Sequence, residues 1–519
     1  PVPPGGDGAN QKIGNEMIDI AAQHNSLQAV WQLIEHQLAY DPQSPMIFSS
    51  GIFMWLFCGF IVVYAMLWRK ATPRLLFVLA FSYYFYYKSS GTYFFLLAFV
   101  TCTDFVIASV LGRATGKVRR KLLVTLSLAI DLGLLGYFKY TNFLGEIWSQ
   151  VSGEAFHNMN IFLPVGISFF TFQSLSYTID VYRGKIRPLD NLLDYAFYVS
   201  FFPQLVAGPI VRASDFIPQI RRPLYVSREM LGMGFWFIII GLFKKAVISD
   251  YISVNFVERI FADPSLYSGI ENLVGVYGYA LQIYCDFSGY SDMAIGIALL
   301  MGFHFNINFN SPYKSASITE FWRRWHISLS TWLRDYLYIS LGGNRHGKLR
   351  QYVNLIITML LGGLWHGASW NFVAWGGLHG VALAVHKVWM QLTGQRAGVP
   401  HRSRLVQVLC VLLCFNFVCL CWVFFRNREF SDSLTMITQI FTNFHAELLP
   451  QLVAGYWKVL ALIVLGYALH FAPDDVEQRC KRAFVKLPAG CYAVALVLMI
   501  VLIIQVKSSD IQPFIYFQF

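Results

Sequence analysis

Apolar runs recur along almost the whole chain and indicate what kind of molecule it is. Many approach the length of about 20 residues that a helix needs to cross the hydrocarbon core of a bilayer. We predict membrane-embedded segments at residues 47–67, 75–88, 92–111, 122–138, 160–180, 191–209, 231–250, 272–302, 352–371, 372–390, 404–425, 456–474 and 490–506. Several are short or interrupted by glycine and proline. The pattern therefore predicts an all-α polytopic membrane protein with about 11 to 13 transmembrane or re-entrant helices.

The first 45 residues lie outside this pattern. Residues 1–16 are rich in glycine, proline and asparagine and begin without methionine, so we expect this end to be processed or artificial. Residues 17–40 place apolar side chains at helical spacing between polar ones, which favours a short amphipathic surface helix. The predicted organisation is an N-terminal segment, 1–45, followed by a single membrane domain, 46–519.

Basic residues cluster in short loops, where their placement orients a membrane protein. The loops 69–74 and 113–121 flank a pair of spans, so both are predicted on the cytoplasmic side, with the N-terminus outside. Basic residues at 183–187 and 212–228 also fall inside, although the apolar run 191–209 separates them. We therefore predict that this proline-broken run enters and leaves on one side. It should line a cavity, because re-entrant backbone is tolerated only where protein or a water-filled cavity buries it.

Composition excludes several other classes of protein. The 519 residues are 56% hydrophobic and only 13% charged, and the net charge of +11 follows from the cytoplasmic loops, so no nucleic-acid partner is expected. The nine cysteines form no CxxC pair, which leaves no predicted metal site. The sequences typical of serine hydrolases, zinc proteases and nucleotide-driven pumps are absent from the chain.

One histidine interrupts an apolar run. His366 stands in the sequence LGGLWHG, residues 361–367. An ionisable side chain at membrane depth is costly and normally faces a bundle interior or a water-filled cavity, so His366 is a candidate functional residue. The neighbouring glycines permit close approach to its ring, and we expect Trp365 to wall one side of a pocket. The alternative is a neutral histidine hydrogen-bonded to a carbonyl of a neighbouring helix.

A second histidine lies in the segment 317–336. Ser317 and Glu320 have the spacing of a capping box, so a helix is predicted to begin there. Its predicted aromatic face comprises Trp322, Trp325, Leu329 and Trp332. His326 and Ser330 lie four residues apart, close to that face. The alternative is a helix at the membrane surface, with tryptophans at headgroup level and arginines snorkelling.

Five motifs resemble the membrane-bound O-acyltransferase (MBOAT) family, and they occur in the family's order. They lie at residues 164–173 (PVGISFFTFQ), 202–209 (FPQLVAGP), 284–292 (YCDFSGYSD), 321–330 (FWRRWHISLS) and 364–367 (LWHG). The sequences LGGNR at 341–345 and WVFFR at 422–426, with the terminal run 513–519, favour the bacterial polysaccharide branch, which includes the membrane subunits of alginate O-acetylation.

The resemblance implies a ring of tilted helices around a central funnel, with His366 and His326 as catalytic residues. His366 would act as the base for an attacking hydroxyl, and His326 would orient it or stabilise the developing charge. Further residues expected at the donor site or tunnel are Trp325, Trp365, Arg323, Arg324, Ser330, Asp335 and Asn344. Arg323 and Arg324 would attract the phosphates of the donor, with snorkelling as their alternative role.

The resemblance also implies the reaction and its partners. The expected donor is a cytosolic acyl thioester, acetyl-CoA, with no bound cofactor and no metal. The acetyl group would pass across a bacterial inner membrane to an exopolysaccharide such as alginate, or to a periplasmic partner transferase of the SGNH type. The alternatives are a D-alanyl, lipid or protein O-acyltransferase of the same family, and a transporter. Broken helices with central polar residues are also typical of transporters.

Overall fold

The structure, a computed structural model, describes residues 26–42, 45–395, 399 and 403–506, and these residues form helices and loops without a strand. Helices of the N-terminal part are α1 (Ser26–Leu38), α2 (Gly51–Met66), α3 (Ala71–Ser90), α4 (Phe94–Arg113), α5 (Lys117–Ser152), α6 (Ile167–Tyr182), α7 (Leu192–Ser200), α8 (Phe202–Leu205), α9 (Ala213–Ile220) and α10 (Arg228–Leu242). Those of the C-terminal part are α11 (Gly269–Leu300), α12 (Ile318–Arg324), α13 (Ile327–Trp332), α14 (Lys348–His366), α15 (Trp370–Thr393), α16 (Arg404–Arg426), α17 (Phe430–Thr442), α18 (Leu449–Phe471), α19 (Asp474–Val485) and α20 (Ala489–Val506).

The all-α polytopic fold is confirmed. Within the described residues, six helical stretches are long and apolar enough to cross a membrane. This number is lower than the number of predicted segments for two reasons. The 43-residue stretch Ala71–Arg113 comprises two helices, α3 and α4, joined at Gly91 with φ +59°. Several central helices are also more polar, because they pack against protein and carry the site rather than facing lipid; most residues of α11, for example, are buried.

The loops predicted on the cytoplasmic side lie together on one face, here called the basic face. Arg120 donates to the carbonyl oxygen of Tyr182 at 2.8 Å. Arg183 donates to the Asp335 carbonyl oxygen at 3.0 Å, and Arg212 forms an ion pair with the Asp335 carboxylate at 2.8 Å. The charge pattern therefore predicted correctly that these loops share a side.

The run 191–209 is re-entrant, as predicted. Arg183 and Arg212, which flank it, both contact Asp335, so its two ends lie on the same face. Within the run, α7 and α8 are separated by a break at Phe201, and the backbone turns inside the protein. Side chains from Tyr195 to Ile210 are buried, so protein rather than lipid surrounds the broken helix.

The segment predicted as one helix over 317–336 is two helices. The N-cap prediction is confirmed, since the Glu320 amide donates to the Ser317 hydroxyl at 3.3 Å. The chain then breaks at Trp325 and His326, because His326 adopts a left-handed conformation with φ +43°. The helix resumes as α13 and continues through a π-helical turn to Tyr338. All four aromatic-face residues are buried, so the segment dips into the protein and the membrane-surface alternative is wrong.

The described part of the N-terminal segment contains one helix, and the organisation predicted for residues 1–45 stays a prediction. Helix α1 covers much of the predicted amphipathic segment 17–40, and its Trp31 side chain is 68% exposed. The Lys88 ammonium donates to the Gln37 carbonyl oxygen at 2.9 Å and so ties the end of α1 to α3. Residues 1–25 and 507–519, including the terminal run 513–519 used above, lie outside the described residues.

Candidate active site

His366 is the last residue of α14 and is 3% exposed. Its ring packs against Trp365, Trp375 and Phe425, with ring centroids 4.9, 5.1 and 5.1 Å away. The Lys139 ammonium donates to the carbonyl oxygens of Trp365 and His366 at 2.5 and 2.8 Å. A cation satisfies the otherwise unpaired carbonyls at the end of a helix. Lys139 therefore fixes the helix terminus that carries His366.

His326 lies at the break between α12 and α13 and is fully buried. Its Nδ1 lies 3.3 Å from Asn308 Oδ1. That oxygen also accepts the hydrogens of the Ser328 amide, at 3.1 Å, and of the Ser328 hydroxyl, at 2.9 Å, so it is an acceptor and favours the tautomer of His326 with its hydrogen on Nδ1. The Nε2 atom of the neutral ring then presents a lone pair, and it has no hydrogen-bond partner within the described part of the chain. The arrangement sets His326 as a base at Nε2.

The structure brings the two histidines, about 40 residues apart in sequence, to one indole ring. The Trp365 ring centroid lies 6.2 Å from that of His326 and 4.9 Å from that of His366. The Trp365 indole N–H donates to the Ser168 carbonyl oxygen at 3.3 Å, which fixes the ring against α6. Trp365 thus does more than wall a pocket, because it lies between the two imidazoles.

A cavity of about 440 Å³ reaches His366 from the side opposite the basic face. It opens at the N-terminal end of α6, whereas the C-terminal end of α6 lies at the basic face. Its lining combines Lys139, Ser168, Phe169, Trp365 and His366 with residues 160–167 and Val206. We call it the outer cavity. An acceptor group entering there would meet the imidazole of His366.

Trp325 and Ser330 lie beside the chain break at His326 and do not line the outer cavity. Trp325 is 1% exposed and packs between Trp422, at 4.9 Å, and Phe309, at 5.1 Å between ring centroids. The Ser330 hydroxyl donates to the Trp325 carbonyl oxygen at 3.2 Å. Both residues therefore support the chain break that positions His326.

The remaining residues predicted for the donor site or tunnel are exposed or half-buried. Arg324 forms an ion pair with Glu320 at 2.9 Å, and Arg323 is exposed. Asn344 is exposed in the turn that follows α13. Asp335 belongs to the basic face. Partial burial raises the pKa of its carboxyl, but hydrogen bonds and ion pairs with Arg334 and Arg212 outweigh burial and hold the pKa below its ordinary value.

The basic face carries a cluster of cations that sequence reasoning used only for topology. Three of them lie over the Tyr336 ring, at 5.1 Å for Arg212, 5.3 Å for Arg183 and 5.8 Å for Lys185. The Tyr336 hydroxyl donates to the Asp180 carboxylate at 2.6 Å, which fixes the ring. Lys185 and Arg212 form ion pairs with Asp180 and Asp335, at 3.4 and 2.8 Å, but the three cations outnumber the two carboxylates, so the surface is suited to anions. We call it the Tyr336 cluster.

Sequence reasoning also missed three residues close to the histidines. His379 lies inside the apolar run 372–390, so the signal that selected His366 applied equally to it. Asn308 lies in an asparagine-rich stretch shortly before His326, and this composition is only a weak indication of a functional residue. The sequence around Lys139 does not indicate its role, because its partners are backbone carbonyls on a helix more than 200 residues away.

Comparison with known proteins agrees with this geometry. Residues 83–425 match the model of MBOAT, the membrane-bound O-acyltransferase family. The chain belongs to the membrane-bound O-acyltransferase family. Like other members of that family it is a multi-pass membrane acyltransferase.

Similar family members come from several bacteria. The probable alginate O-acetylase AlgI of Pseudomonas aeruginosa is 41% identical over 402 residues, 76% of this chain and 75% of the relative. The corresponding protein of Pseudomonas putida is 36% identical over 500 residues, 91% of this chain and 100% of the relative. A peptidoglycan O-acetyltransferase of Helicobacter pylori is 37% identical over 423 residues, 76% and 79% of the two chains.

Proposed function

We propose that this acyltransferase takes an acetyl group from acetyl-CoA at the cytoplasmic face of a bacterial inner membrane and delivers it for O-acetylation of an exported polysaccharide. One observation carries the proposal. The two imidazoles share the Trp365 ring, with the outer cavity opening at His366 on the side opposite the basic face. Alginate and peptidoglycan are the acceptors that the relatives' names record.

In the proposed reaction an acceptor hydroxyl attacks the thioester carbonyl carbon. A C–O bond forms, the C–S bond breaks, and the hydroxyl proton moves to the departing CoA sulfur. His366 lines the outer cavity and so takes the proton from a hydroxyl that enters there. His326 offers a lone pair at Nε2, because its Nδ1 hydrogen is committed to Asn308. This neutral form accepts a hydrogen bond and does not stabilise an oxyanion, so of the two roles expected from sequence it supports orienting the hydroxyl.

The direct test is release of free CoA from acetyl-CoA by the purified protein, measured by mass spectrometry. We expect release by wild type and its loss in His366→Ala, with expression and detergent stability near wild type. The matched control is His304→Ala, since His304 is exposed and lies outside the site. Activity retained in His366→Ala would remove His366 as the base.

Parallel reactions separate the alternatives. Palmitoyl-CoA used in preference to acetyl-CoA would favour a lipid or protein acyltransferase. A D-alanyl thioester used in preference would favour D-alanylation. No turnover of any thioester in the presence of polysaccharide acceptor would overturn the proposed function and favour a transporter.

We further propose that a periplasmic SGNH-like transferase receives the acetyl group at the outer cavity. In inside-out vesicles supplied with labelled acetyl-CoA, label should reach lumenal polysaccharide only when that transferase is present. Equal labelling without it would show that the chain acetylates the polysaccharide directly.

A further inference from the structure

Two nitrogen donors lie buried beside His366 on the neighbouring helix α15. Trp375 and His379 are four residues apart, so they share one face of that helix. The Trp375 ring lies 5.1 Å from His366 and 4.8 Å from His379 between centroids. Trp375 is 1% exposed and His379 is fully buried. The pair therefore extends the cluster of edge-to-face rings at His366.

The hydrogen position on His379 follows from its neighbour Trp322. The Trp322 indole N–H donates to His379 Nδ1 at 3.3 Å. Because an indole nitrogen only donates, Nδ1 is the unprotonated nitrogen and the neutral ring carries its hydrogen on Nε2. His379 Nε2 is thus able to donate a hydrogen bond, whereas His326 Nε2 is able to accept one.

Neither donor has an acceptor in the part of the chain that the structure describes. Both His379 Nε2 and Trp375 Nε1 are buried and lack a hydrogen-bond partner there. Burying an N–H without an acceptor costs free energy, and native interiors rarely contain such groups. These two lie on one helix face beside the imidazole of His366, where a ligand atom would serve as their acceptor.

The position of the pair identifies which ligand atom this is. Helix α15 runs from the outer cavity toward the basic face, where Tyr352 at the start of α14 donates to Gln391 near the end of α15 at 3.2 Å. Trp375 and His379 therefore lie on the basic-face side of His366, from which the acyl donor would enter. The acceptor hydroxyl would approach from the other side, through the outer cavity.

We propose that His379 Nε2–H and Trp375 Nε1–H form the binding subsite for the thioester carbonyl oxygen and for the negative charge that develops on it during acyl transfer. This inference rests on the proposed function. While the acceptor oxygen adds to the carbonyl carbon, the carbonyl oxygen gains a negative charge, and it loses that charge when the C–S bond breaks. The two N–H groups keep their hydrogens throughout. Preorganised donors in a water-poor site stabilise such charge strongly.

The test compares variants that remove the N–H donor, and His379→Phe also removes the Nδ1 acceptor of the Trp322 indole N–H. Trp375→Phe and His379→Phe keep an aromatic ring but lose the N–H, whereas His379→Gln keeps a side-chain N–H. We expect each phenylalanine variant to lower kcat by about 100-fold to 1000-fold, the effect of losing one oxyanion donor. KM for acetyl-CoA should change by less than about threefold, because the interaction strengthens in the transition state. His379→Gln should recover at least about tenfold in kcat over His379→Phe.

His470→Phe is the matched control. His470 is also a buried histidine with one ring nitrogen hydrogen-bonded, to the Tyr313 amide at 3.1 Å, but it packs against Tyr284 and Tyr313 instead of His366. It should keep wild-type kcat. Each variant is first checked by size-exclusion chromatography and thermal unfolding, and Trp375→Phe provides the test if His379→Phe does not fold.

The outcomes separate the two proposals. Wild-type kcat in both donor variants, a loss confined to KM, or no recovery in His379→Gln would overturn the subsite while leaving the acyltransferase reaction intact. Absence of thioester turnover in the wild-type protein would instead overturn the proposed function, and the subsite with it.

Discussion

At the scale of single residues, the protonation pattern of His326 depends on one asparagine. Asn308 Oδ1 accepts from the Ser328 amide and from His326 Nδ1, while the Asn308 amide group donates to the Ser291 hydroxyl at 3.2 Å. The amide orientation is therefore fixed from both ends. A fixed Asn308 leaves the His326 ring with its lone pair at Nε2.

We predict that Asn308→Leu lowers kcat by roughly tenfold to a hundredfold, the size of effect seen when a functional histidine loses its outer hydrogen-bond partner. Asn308→Asp should keep activity but move the acidic limb of the pH–rate profile to higher pH. A carboxylate favours the protonated imidazole, so a higher pH is needed to free the base. The measurement is kcat against pH for acetyl-CoA turnover.

Asn354→Leu is the control for this prediction. Asn354 is equally buried, but it donates to the carbonyl oxygens of Leu341 and Gly343, away from the histidines. Its pH profile should match wild type. An unchanged profile in Asn308→Asp would show that Asn308 has only a structural role.

At the scale of elements, two breaks in helices shape the site. His326 is the left-handed residue between α12 and α13, and this conformation turns its side chain into the core. The Asn308 carbonyl oxygen accepts the Ile327 amide hydrogen at 2.9 Å and holds the turn. The break between α7 and α8 returns the chain to the basic face. Broken helices at membrane depth persist because neighbouring protein satisfies their backbone.

We predict that single cysteines at Arg119 and Arg222 react only with a cytoplasmic membrane-impermeant reagent, and that one at Glu154 reacts only from outside. All three positions are exposed. Labelling in spheroplasts and inverted vesicles measures this, in a background from which the exposed native residues Cys58, Cys102, Cys480 and Cys491 are removed. Outside labelling at Arg222 would contradict the re-entrant path of 191–209.

At the scale of the whole molecule, charge is distributed unequally between the two sides of the site. The Tyr336 cluster makes the basic face electropositive, and the outer cavity on the opposite side contains the single ammonium of Lys139, which is bound to helix carbonyls. Phosphate-bearing donors are therefore attracted to one side and a neutral hydroxyl meets no strong field on the other.

We predict that Arg183→Glu with Lys185→Glu raises KM for acetyl-CoA by several-fold, corresponding to about 1 kcal/mol for exposed charges. The effect should be larger at low ionic strength, because screening acts over about 10 Å at 0.1 M salt. Arg323→Glu with Arg324→Glu is the comparison, since it makes the same change of charge on α12, outside the Tyr336 cluster. A larger rise in KM in that second variant would place the donor entrance at α12, as the sequence predicted.

The sequence by itself determined the membrane class, the common face of the basic loops and the candidacy of His326 and His366. These properties follow from hydropathy, from charge in short loops and from the cost of an ionisable group in lipid, all of which are local. The family motifs added the reaction class. The assignment of Asn344 and Arg323 to the donor site or tunnel came from the family resemblance, and it stays a prediction.

Only the tertiary structure decided how the site is assembled. The shared contact of both imidazoles with Trp365, the Lys139 cap on α14 and the proton positions on His326 and His379 all depend on partners far away in sequence. Hydrophobic periodicity specifies which side of a helix is buried and leaves open which helix it will face. A hydrogen bond between residues far apart in sequence has no local signal. Packing therefore decides which ring nitrogen of each histidine carries the hydrogen.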